Sequence, residues 1–328
     1  MTSVDPPRHL VQEAVSRAIA EDVGILGDIT AALIPSDARG TGVLAARCAG
    51  VLAGRACATE TWAQLDPAVD VHWHAEDGAD LVAGTVVATV EGPLRSVLTG
   101  EHTALNFVCH LSGVASLTRQ FVAATGGQAT IWDTRKTLPG LRALEKAAVR
   151  AGGGVNHRGS LSDLVLVKDN HLLGLGIAAA VGAARAAWPG RGVEVECERA
   201  DQVREALAAG ADLVMLDNLS PDQVRDCVAL VRSGARPDTP VEVSGRVTLD
   251  RVAAYAAAGA DLISSSAITQ SAPALDLGLD LEPATRRCGS SPSTPGTPRP
   301  SSASSTARSS STTGASPPSP SEPPTSSP

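Results

Sequence analysis

Charged and hydroxyl-bearing residues stand in short groups at intervals along the second half of the sequence. Arginine and lysine side chains bind phosphate and carboxylate groups, and carboxylate oxygens are ligands that Mg²⁺ prefers. A substrate with diphosphate and carboxylate groups fits these residue types. The groups are Asp133-Thr134-Arg135-Lys136, His157-Arg158, Lys168-Asp169-Asn170-His171, Glu194 with Glu196, Asp217-Asn218, Ser244-Gly245 and Ser264-Ser265-Ser266.

Several of these groups also have a simpler interpretation. Gly152–Gly154 either let the backbone approach a ligand closely or only end a helix. In the simpler interpretation, one of Glu194 and Glu196 is a solvated edge charge, and Asp217 belongs to a turn. We favour a catalytic site because the groups recur together. In that interpretation Arg135, Lys136, Arg158 and Lys168 supply positive charge, and Glu196 and Asp217 hold Mg²⁺ and sugar hydroxyls.

Lysine is confined to one short stretch of the chain. The sequence contains 24 arginines but only three lysines, Lys136, Lys146 and Lys168. Because an ammonium and a guanidinium are not interchangeable at a phosphate site, this stretch is expected to carry charge chemistry, with chance clustering as the alternative. Lys146 lies four residues after Arg142 on a predicted helix, and both are predicted to be surface charges.

The polar groups follow short apolar segments that alternate with amphipathic helical patterns. This alternation predicts parallel β–α–β units, in a barrel or a doubly wound sheet. In an α/β barrel the carboxyl ends of the strands meet at one mouth, where active sites lie. The predicted strands are Ala129–Trp132, Leu164–Val167, Val193–Cys197, Leu213–Leu216, Val241–Val243 and Asp261–Ser264, and the predicted helices are 139–151, 173–187, 200–209, 220–233 and 248–258.

The two ends of the sequence differ from this pattern. Residues 8–20 and Leu98–Ala124 have helical periodicity, and residues 41–90 read as short strands separated by glycine turns, so the first part is a mixed α and β unit. The tail 288–328 is almost entirely Ser, Pro and Thr and is predicted to be disordered.

Composition excludes several classes of protein. The net charge of −8 argues against a nucleic-acid binder. We find no apolar run long enough to span a bilayer and no secretory signal in MTSVDPPRHL. Six cysteines without metal or disulfide spacing predict reduced thiols in a cytoplasmic protein. His72 and His74 share a strand face, but a metal site there lacks a nearby third ligand.

Long segments resemble one enzyme family, quinolinate phosphoribosyltransferase, also called carboxylating nicotinate-nucleotide diphosphorylase. The resemblance covers residues 10–282 and implies an α/β fold of the type II phosphoribosyltransferases. It implies an N-terminal α/β sandwich domain (1–112, joined by a returning segment 270–285) and an incomplete, open α/β barrel (113–269). The segments are EDVGILGDIT, EGPLRSVLTGEHTALNFVCHLSGVAS, WDTRKTLPGLRALEKAAVRAGGGVNHRGSLSDLVLVKDNH, VEVECE, LDN, SGRVTL and ALDLGLDL.

The activity implied by the resemblance is that of a pentosyltransferase in NAD biosynthesis. The phosphoribosyl group of phosphoribosyl diphosphate passes to quinolinate with decarboxylation, giving nicotinate mononucleotide, diphosphate and CO₂. Mg²⁺ accompanies the donor, and no organic cofactor is needed. The resemblance also implies a homodimer with shared active sites, leaves a higher oligomer as an open alternative, and implies no nucleic-acid or membrane partner.

The resemblance also implies roles for individual residues. Arg135, His157 and Arg158 would hold the two quinolinate carboxylates. The catalytic set would be Lys136 and Lys168, facing the phosphates and the reacting centre, with Glu196 and Asp217, binding ribose hydroxyls and Mg²⁺. Ser244 and Gly245 would donate hydrogen bonds to the 5′-phosphate.

Four positions depart from the family pattern. His102 stands where the family has an arginine that reaches into the partner's site, Ser266 where it has glycine near the phosphate, and Gln270 where it has histidine. Arg246 stands where glycine or a small polar residue is commoner. These changes leave open a working enzyme, a paralogue that phosphoribosylates another pyridine or aromatic acid, and a weak or non-catalytic relative, such as a regulator.

Overall fold

The computed structural model describes residues 5–172 and 175–281. Its first part is a mixed unit of helices and short strands, as the sequence predicts. A 3₁₀ helix covers Ala31–Leu33. The elements are α1 (Arg8–Val23), β1 (Arg39–Ala46), β2 (Gly50–Val51), α2 (Arg55–Leu65), β3 (Asp70–Trp73), β4 (Asp80–Leu81), β5 (Val86–Pro93) and α3 (Leu94–Ala124).

The second part alternates strands and helices as predicted, and most bounds agree within two residues. Helix α4 begins later than predicted because Pro139-Gly140 precedes it, with Gly140 at a φ of 80°. A 3₁₀ helix covers Asp169–Leu172. The elements are β6 (Thr130–Trp132), α4 (Arg142–Ala151), β7 (Val165–Val167), α5 (Ile177–Ala187), β8 (Val193–Cys197), α6 (Ala200–Ala209), β9 (Leu213–Asp217), α7 (Pro221–Ser233), β10 (Val241–Ser244), α8 (Leu249–Ala257), β11 (Leu262–Ser264), α9 (Ala267–Gln270) and β12 (Leu277–Leu281).

An antiparallel sheet of four strands organises the first part, in the order β12-β1-β5-β3. One face of it packs on α2 and α3, where Leu44, Trp62 and Val108 belong to one apolar core. The last described strand pairs with the first, Leu279 opposite Leu44, so residues 277–281 return to this sheet. This helix-on-sheet packing is the α/β sandwich that was predicted.

A parallel sheet of six strands organises the second part, in the order β6-β11-β10-β9-β8-β7. The sheet curls so that β11 pairs with β6. Strands β6 and β7 form its two edges, and Trp132 makes only a single bridge to Val155 there. The sheet is therefore an incomplete, open barrel, and the predicted fold class is confirmed.

The strands of the barrel are buried on both faces, which explains their nearly continuous apolar sequences. All five residues of β8 are buried, including Glu194 and Glu196. Helix α7 begins with a capping box, in which Ser220 accepts from the Gln223 amide. Helix α6 ends at Gly210, whose φ of 86° suits glycine.

The domain bounds 1–112 and 113–269 stay predictions. The disordered tail predicted for 288–328, and the end of the returning segment beyond residue 281, lie outside the described residues. Within the described chain, no helix combines the length and apolarity that crossing a membrane requires.

Candidate active site

A cavity of about 350 Å³ lies at the carboxyl ends of the barrel strands. The polar groups that follow β6, β7, β9, β10 and β11 all contribute to its wall, as expected for the mouth of an α/β barrel. Its polar lining residues are Thr134, Arg135, Lys136, His157, Arg158, Lys168, Asp217, Glu242, Ser244, Gly245, Arg246, Thr248, Ser264, Ser265, Ser266 and Ser271.

Cations from three segments line one part of the cavity. Arg135 is half-buried, and its Nε has no hydrogen-bond partner. The guanidinium of Arg158 donates to the Leu164 carbonyl over 3.0 Å, and burial together with the charge of Arg135 lowers its pKa. Lys136 is exposed, and Lys168 forms an ion pair with Glu196. Two neighbouring guanidinium groups suit a ligand that carries more than one carboxylate.

A buried ion pair fixes the backbone on both sides of His157. The carboxylate of Asp133 is fully buried, and it accepts from the Lys146 ammonium and from the His157 amide, over 2.9 Å for the amide. The same ammonium donates to the His157 carbonyl over 2.9 Å. Asn156 Nδ2 donates to the other Asp133 oxygen over 2.6 Å. The segment that presents His157 and Arg158 is thus tied to the end of β6.

The prediction that Lys146 and Arg142 are surface charges is wrong. Lys146 is only 6 % exposed, because α4 buries this face against the end of the barrel. Arg142 is half-buried, and it donates to Thr137 Oγ1 over 3.1 Å and to two backbone carbonyls, of Arg135 and Gly159. Both side chains brace the loops that form the cavity.

His157 contacts two buried carboxylates at the floor of the cavity. Its Nε2 lies 3.1 Å from Glu194 Oε2 and 3.4 Å from Glu242 Oε2. Burial alone would lower the pKa of His157, but the two carboxylates raise it to about 9. Burial and the proximity of Glu242 raise the pKa of Glu194 to about 8. The alternative that Glu194 is a solvated edge charge is therefore wrong.

The protonation of His157 is subject to opposing contacts. Nδ1 accepts from the Arg158 amide over 2.6 Å, which favours a neutral ring with its proton on Nε2. The two neighbouring carboxylates favour the cation and raise the pKa of His157. Among the described residues, His157, Glu194 and Glu242 also stand close enough to share a metal ion. His157 Nε2 and Glu194 Oε2, however, contact each other directly at 3.1 Å, which leaves no room for an ion between these two atoms.

Glu196 and Asp217 stand on adjacent strands beside the cavity. Glu196 is buried behind Lys168, and burial raises its pKa, with Lys168 opposing and Asp217 adding to the rise. Asp217 is half-buried, lines the cavity and accepts from Asn218 Nδ2 over 2.5 Å. Asp217 lines the cavity and Glu196 lies behind Lys168 on the adjacent strand. Two such neighbouring carboxylates can supply oxygen ligands to a divalent cation.

Hydroxyl groups line the opposite part of the cavity, where β10 and β11 end. Ser264 Oγ donates to Ser244 Oγ over 3.1 Å. Gly245 has a φ of 86°, and a Cβ there would lie 2.5 Å from Asn218 Oδ1, so the turn requires glycine. The lining hydroxyls are those of Ser244, Thr248, Ser264, Ser265, Ser266 and Ser271.

Three predicted site residues do not line this cavity. His102 is exposed on α3, Gln270 is exposed at the end of α9, and Glu196 is buried behind Lys168, which does line it. Gly152 packs on α3, since a Cβ there would lie 2.4 Å from the Ala115 carbonyl. Gly152 also follows the last residue of α4, so the interpretation that the glycines end a helix is confirmed, and none of Gly152–Gly154 lines the cavity.

Sequence reasoning missed Glu242, Thr248 and Ser271, which line the cavity. It also predicted no role for Asp133, which anchors the His157 backbone. A signal for Glu242 exists in the sequence VEVS, where a carboxylate interrupts an apolar strand just as Glu194 does in VEVEC. A charged residue within a buried strand is costly unless it is paired, so such a residue is a candidate for a site.

An open α/β barrel with cations and hydroxyls around its mouth defines the type II phosphoribosyltransferase class. The chain belongs to the quinolinate phosphoribosyl transferase family. The N-terminal domain of that family matches residues 28–112, and its C-terminal domain matches residues 114–280.

Individual relatives agree with this assignment. The chain is 42 % identical over 279 residues to a probable nicotinate-nucleotide pyrophosphorylase [carboxylating] of Synechocystis, covering 84 % of this chain and 94 % of that protein. It is 43 % identical over 279 residues to the Mycobacterium leprae nicotinate-nucleotide pyrophosphorylase [carboxylating], covering 82 % and 96 %. The solved structure of the nicotinate-nucleotide pyrophosphorylase from Francisella tularensis superimposes with a TM-score of 0.80 at 38 % identity, covering 85 % of this chain and 98 % of that one.

Proposed function

We propose that this chain transfers the phosphoribosyl group of phosphoribosyl diphosphate to quinolinate with loss of CO₂. The products are nicotinate mononucleotide, diphosphate and CO₂, and the reaction is a step of NAD biosynthesis. The observation that carries the proposal is the division of one cavity into a part lined by guanidinium groups and a part lined by hydroxyls. Such a cavity suits two substrates, a dicarboxylate and a phosphate ester.

Quinolinate is proposed to bind in the guanidinium part. Arg135 and Arg158 would each meet a carboxylate. His157 lines the same part, and it would donate to the substrate by exchanging the Nε2 contact that it makes with Glu194. The buried pair of Asp133 and Lys146 keeps the His157 backbone fixed before the substrate arrives. Pre-organisation of this kind lowers the entropy lost on binding.

The donor is proposed to bind in the hydroxyl part, with its 5′-phosphate near Ser244, Gly245 and Ser266. Glu196 and Asp217 would hold Mg²⁺ and ribose hydroxyls. These two residues fit the ion, because they are neighbouring carboxylates of which Asp217 lines the cavity and Glu196 pairs with the cavity residue Lys168, and the donor's own oxygens would complete the coordination shell. When bound, Mg²⁺ would neutralise charge on the diphosphate.

The reaction follows from the charges that the chain places around the cavity. The pyridine nitrogen attacks C1 of the ribose, and the bond from C1 to the diphosphate oxygen breaks with its electron pair. Lys136 and Lys168 would stabilise the leaving diphosphate. The positive ring nitrogen then stabilises the carbanion left when the adjacent carboxylate departs as CO₂, and a proton replaces it.

We further propose that two copies of this chain share their active sites in the cytoplasm, alone or in a higher oligomer. His102 is exposed on α3 and does not line its own cavity, which suits a residue offered to the partner's site. A histidine is shorter than arginine and only partly charged at neutral pH. We therefore expect His102→Arg to lower the KM for quinolinate, and an unchanged or higher KM would contradict this role.

The proposal is tested by direct turnover. Purified protein is incubated with quinolinate, phosphoribosyl diphosphate and Mg²⁺, and nicotinate mononucleotide is sought by mass spectrometry. Glu196→Gln is expected to lower kcat by roughly 100-fold or more, because an active-site charge is lost. Arg204→Gln serves as the control, because Arg204 is exposed on α6 and lies outside the cavity.

The outcomes distinguish the alternatives. Product from wild type but not from Glu196→Gln supports the reaction and the site. No product, with the donor and Mg²⁺ still raising the melting temperature, would indicate a paralogue with a different acceptor acid. No product and no donor binding would indicate a non-catalytic relative.

A further inference from the structure

Arg246 holds a backbone conformation that its side chain disfavours. Its φ is 48°, and among the described residues the other non-glycine residue with positive φ is Asn218 at 57°. Asparagine tolerates the left-handed region because its short side chain bonds locally, whereas arginine has no such compensation. Strained residues of this kind cluster at ligand sites, where the surrounding interactions offset the strain.

The side chain of Arg246 lies at the hydroxyl part of the cavity. Arg246 lines the cavity between Gly245 and Thr248, and the hydroxyls of Ser244 and Ser266 line the same wall. Arg135 and Arg158 belong to other segments, after β6 and before β7. Arg246 is therefore the guanidinium that accompanies the hydroxyl groups.

The guanidinium of Arg246 is available to a ligand. It is exposed, and it makes no hydrogen bond or ion pair with any residue that the structure describes. Two of the other cations around the cavity are already engaged: Lys168 pairs with Glu196, and Arg158 donates to the Leu164 carbonyl. Arg135 and Lys136 follow β6, away from the hydroxyl part. An unpaired guanidinium among hydroxyls is a site for an anion with several acceptor oxygens.

We infer that Arg246 binds the phosphate monoester of the phosphoribosyl donor and so raises the affinity of this chain for that donor. The inference rests on the proposed function. A phosphate monoester offers three oxygens, so it can take the planar guanidinium bidentately while serine hydroxyls and the loop amides bind the remaining oxygen.

The test compares three variants of Arg246. Arg246→Gly and Arg246→Asn both suit positive φ and remove the charge, and Arg246→Lys keeps the charge without the fork. Both neutral variants are expected to raise the KM for phosphoribosyl diphosphate about tenfold. Loss of a hydrogen bond between charged groups weakens binding by about this factor. Arg246→Lys should fall between them and wild type, and the KM for quinolinate should stay within about twofold.

Stability gives a second readout that a purely structural residue would not produce. Without ligand, Arg246→Gly is expected to melt at the same temperature as wild type or higher, because the strain at positive φ is relieved. A residue kept only for packing would lower the melting temperature when it is removed. Arg204→Gln removes one charge elsewhere and should leave both KM values unchanged.

Three results would overturn the inference. The first is a donor KM for Arg246→Gly within twofold of wild type. The second is an equal rise in both KM values, and the third is a rise in donor KM that the Arg204→Gln control shares. Inorganic phosphate tests the inference separately from the proposed reaction: it should raise the melting temperature of wild type more than that of Arg246→Gly, even if quinolinate is not the acceptor. Equal phosphate shifts would count against Arg246.

Discussion

Lys146 provides the sharpest test of the structure, because the sequence and the fold assign it opposite environments. We predict that Lys146→Met destabilises the protein by about 3 kcal/mol, because the fully buried carboxylate of Asp133 loses its counter-charge. Breaking a buried pair costs roughly 3–5 kcal/mol, and the lower end applies because Asn156 and the His157 amide still donate to Asp133. The melting temperature of the ligand-free protein should fall by roughly 5 °C.

A double variant separates charge from packing. Lys146→Met with Asp133→Asn leaves neither charge buried, so it should cost only about 1 kcal/mol and recover most of the melting temperature. Both variants should raise the KM for quinolinate more than that for the donor, since the Lys146 ammonium holds the backbone carbonyl of His157. A Lys146→Met protein within about 0.5 kcal/mol of wild type would refute the reasoning, because only an exposed lysine is so tolerant.

Two further predictions follow from the site. Gly245→Ala should destabilise the protein by about 2 kcal/mol in thermal melts and raise the donor KM, because its Cβ would lie 2.5 Å from Asn218 Oδ1 at a φ of 86°; a variant of wild-type stability would contradict the turn geometry. The pKa of His157 is about 9, above its ordinary value of 6.5. The stabilisation that His157 gives the folded protein is therefore present in full below pH 6.5 and is lost as pH rises through 9. The raised pKa of Glu194 makes stability depend on pH in the same direction. Melting temperatures across this range should fall less steeply in Glu242→Gln, and an unchanged slope would exclude the carboxylates as the cause.

The barrel could be predicted from the sequence because its signals are local. Strand β8 was predicted with its observed bounds, Val193–Cys197, since a parallel strand buried on both faces is nearly continuously apolar. Gly210 marks the end of α6 through its positive φ, which is also a local property. In the antiparallel part, periodicity alone predicted only strands, and the sandwich with its returning segment was predicted from the family resemblance. Residues 44 and 279 are far apart in sequence, so their pairing leaves no local signal.

Local signals also predicted which polar groups surround the cavity, since the carboxyl ends of parallel strands must meet at one mouth. The alternation in VEVEC did not reveal that Glu194 faces His157, because that contact joins β8 to a loop 37 residues earlier. The four-residue spacing of Arg142 and Lys146 was consistent with a solvated face, and only the packing of α4 shows otherwise.

The sequence by itself determined the order of strands and helices and the types of residues at the barrel mouth, since hydrophobic periodicity and turn residues act over a few positions. The tertiary structure alone decided which charges are buried and which are available to a ligand. Lys146 and Arg246 are both cations in polar segments, yet one is neutralised by Asp133 inside the protein and the other faces the cavity unpaired. That difference depends on which distant segments pack against each side chain, and the burial of a charge is set by those neighbours.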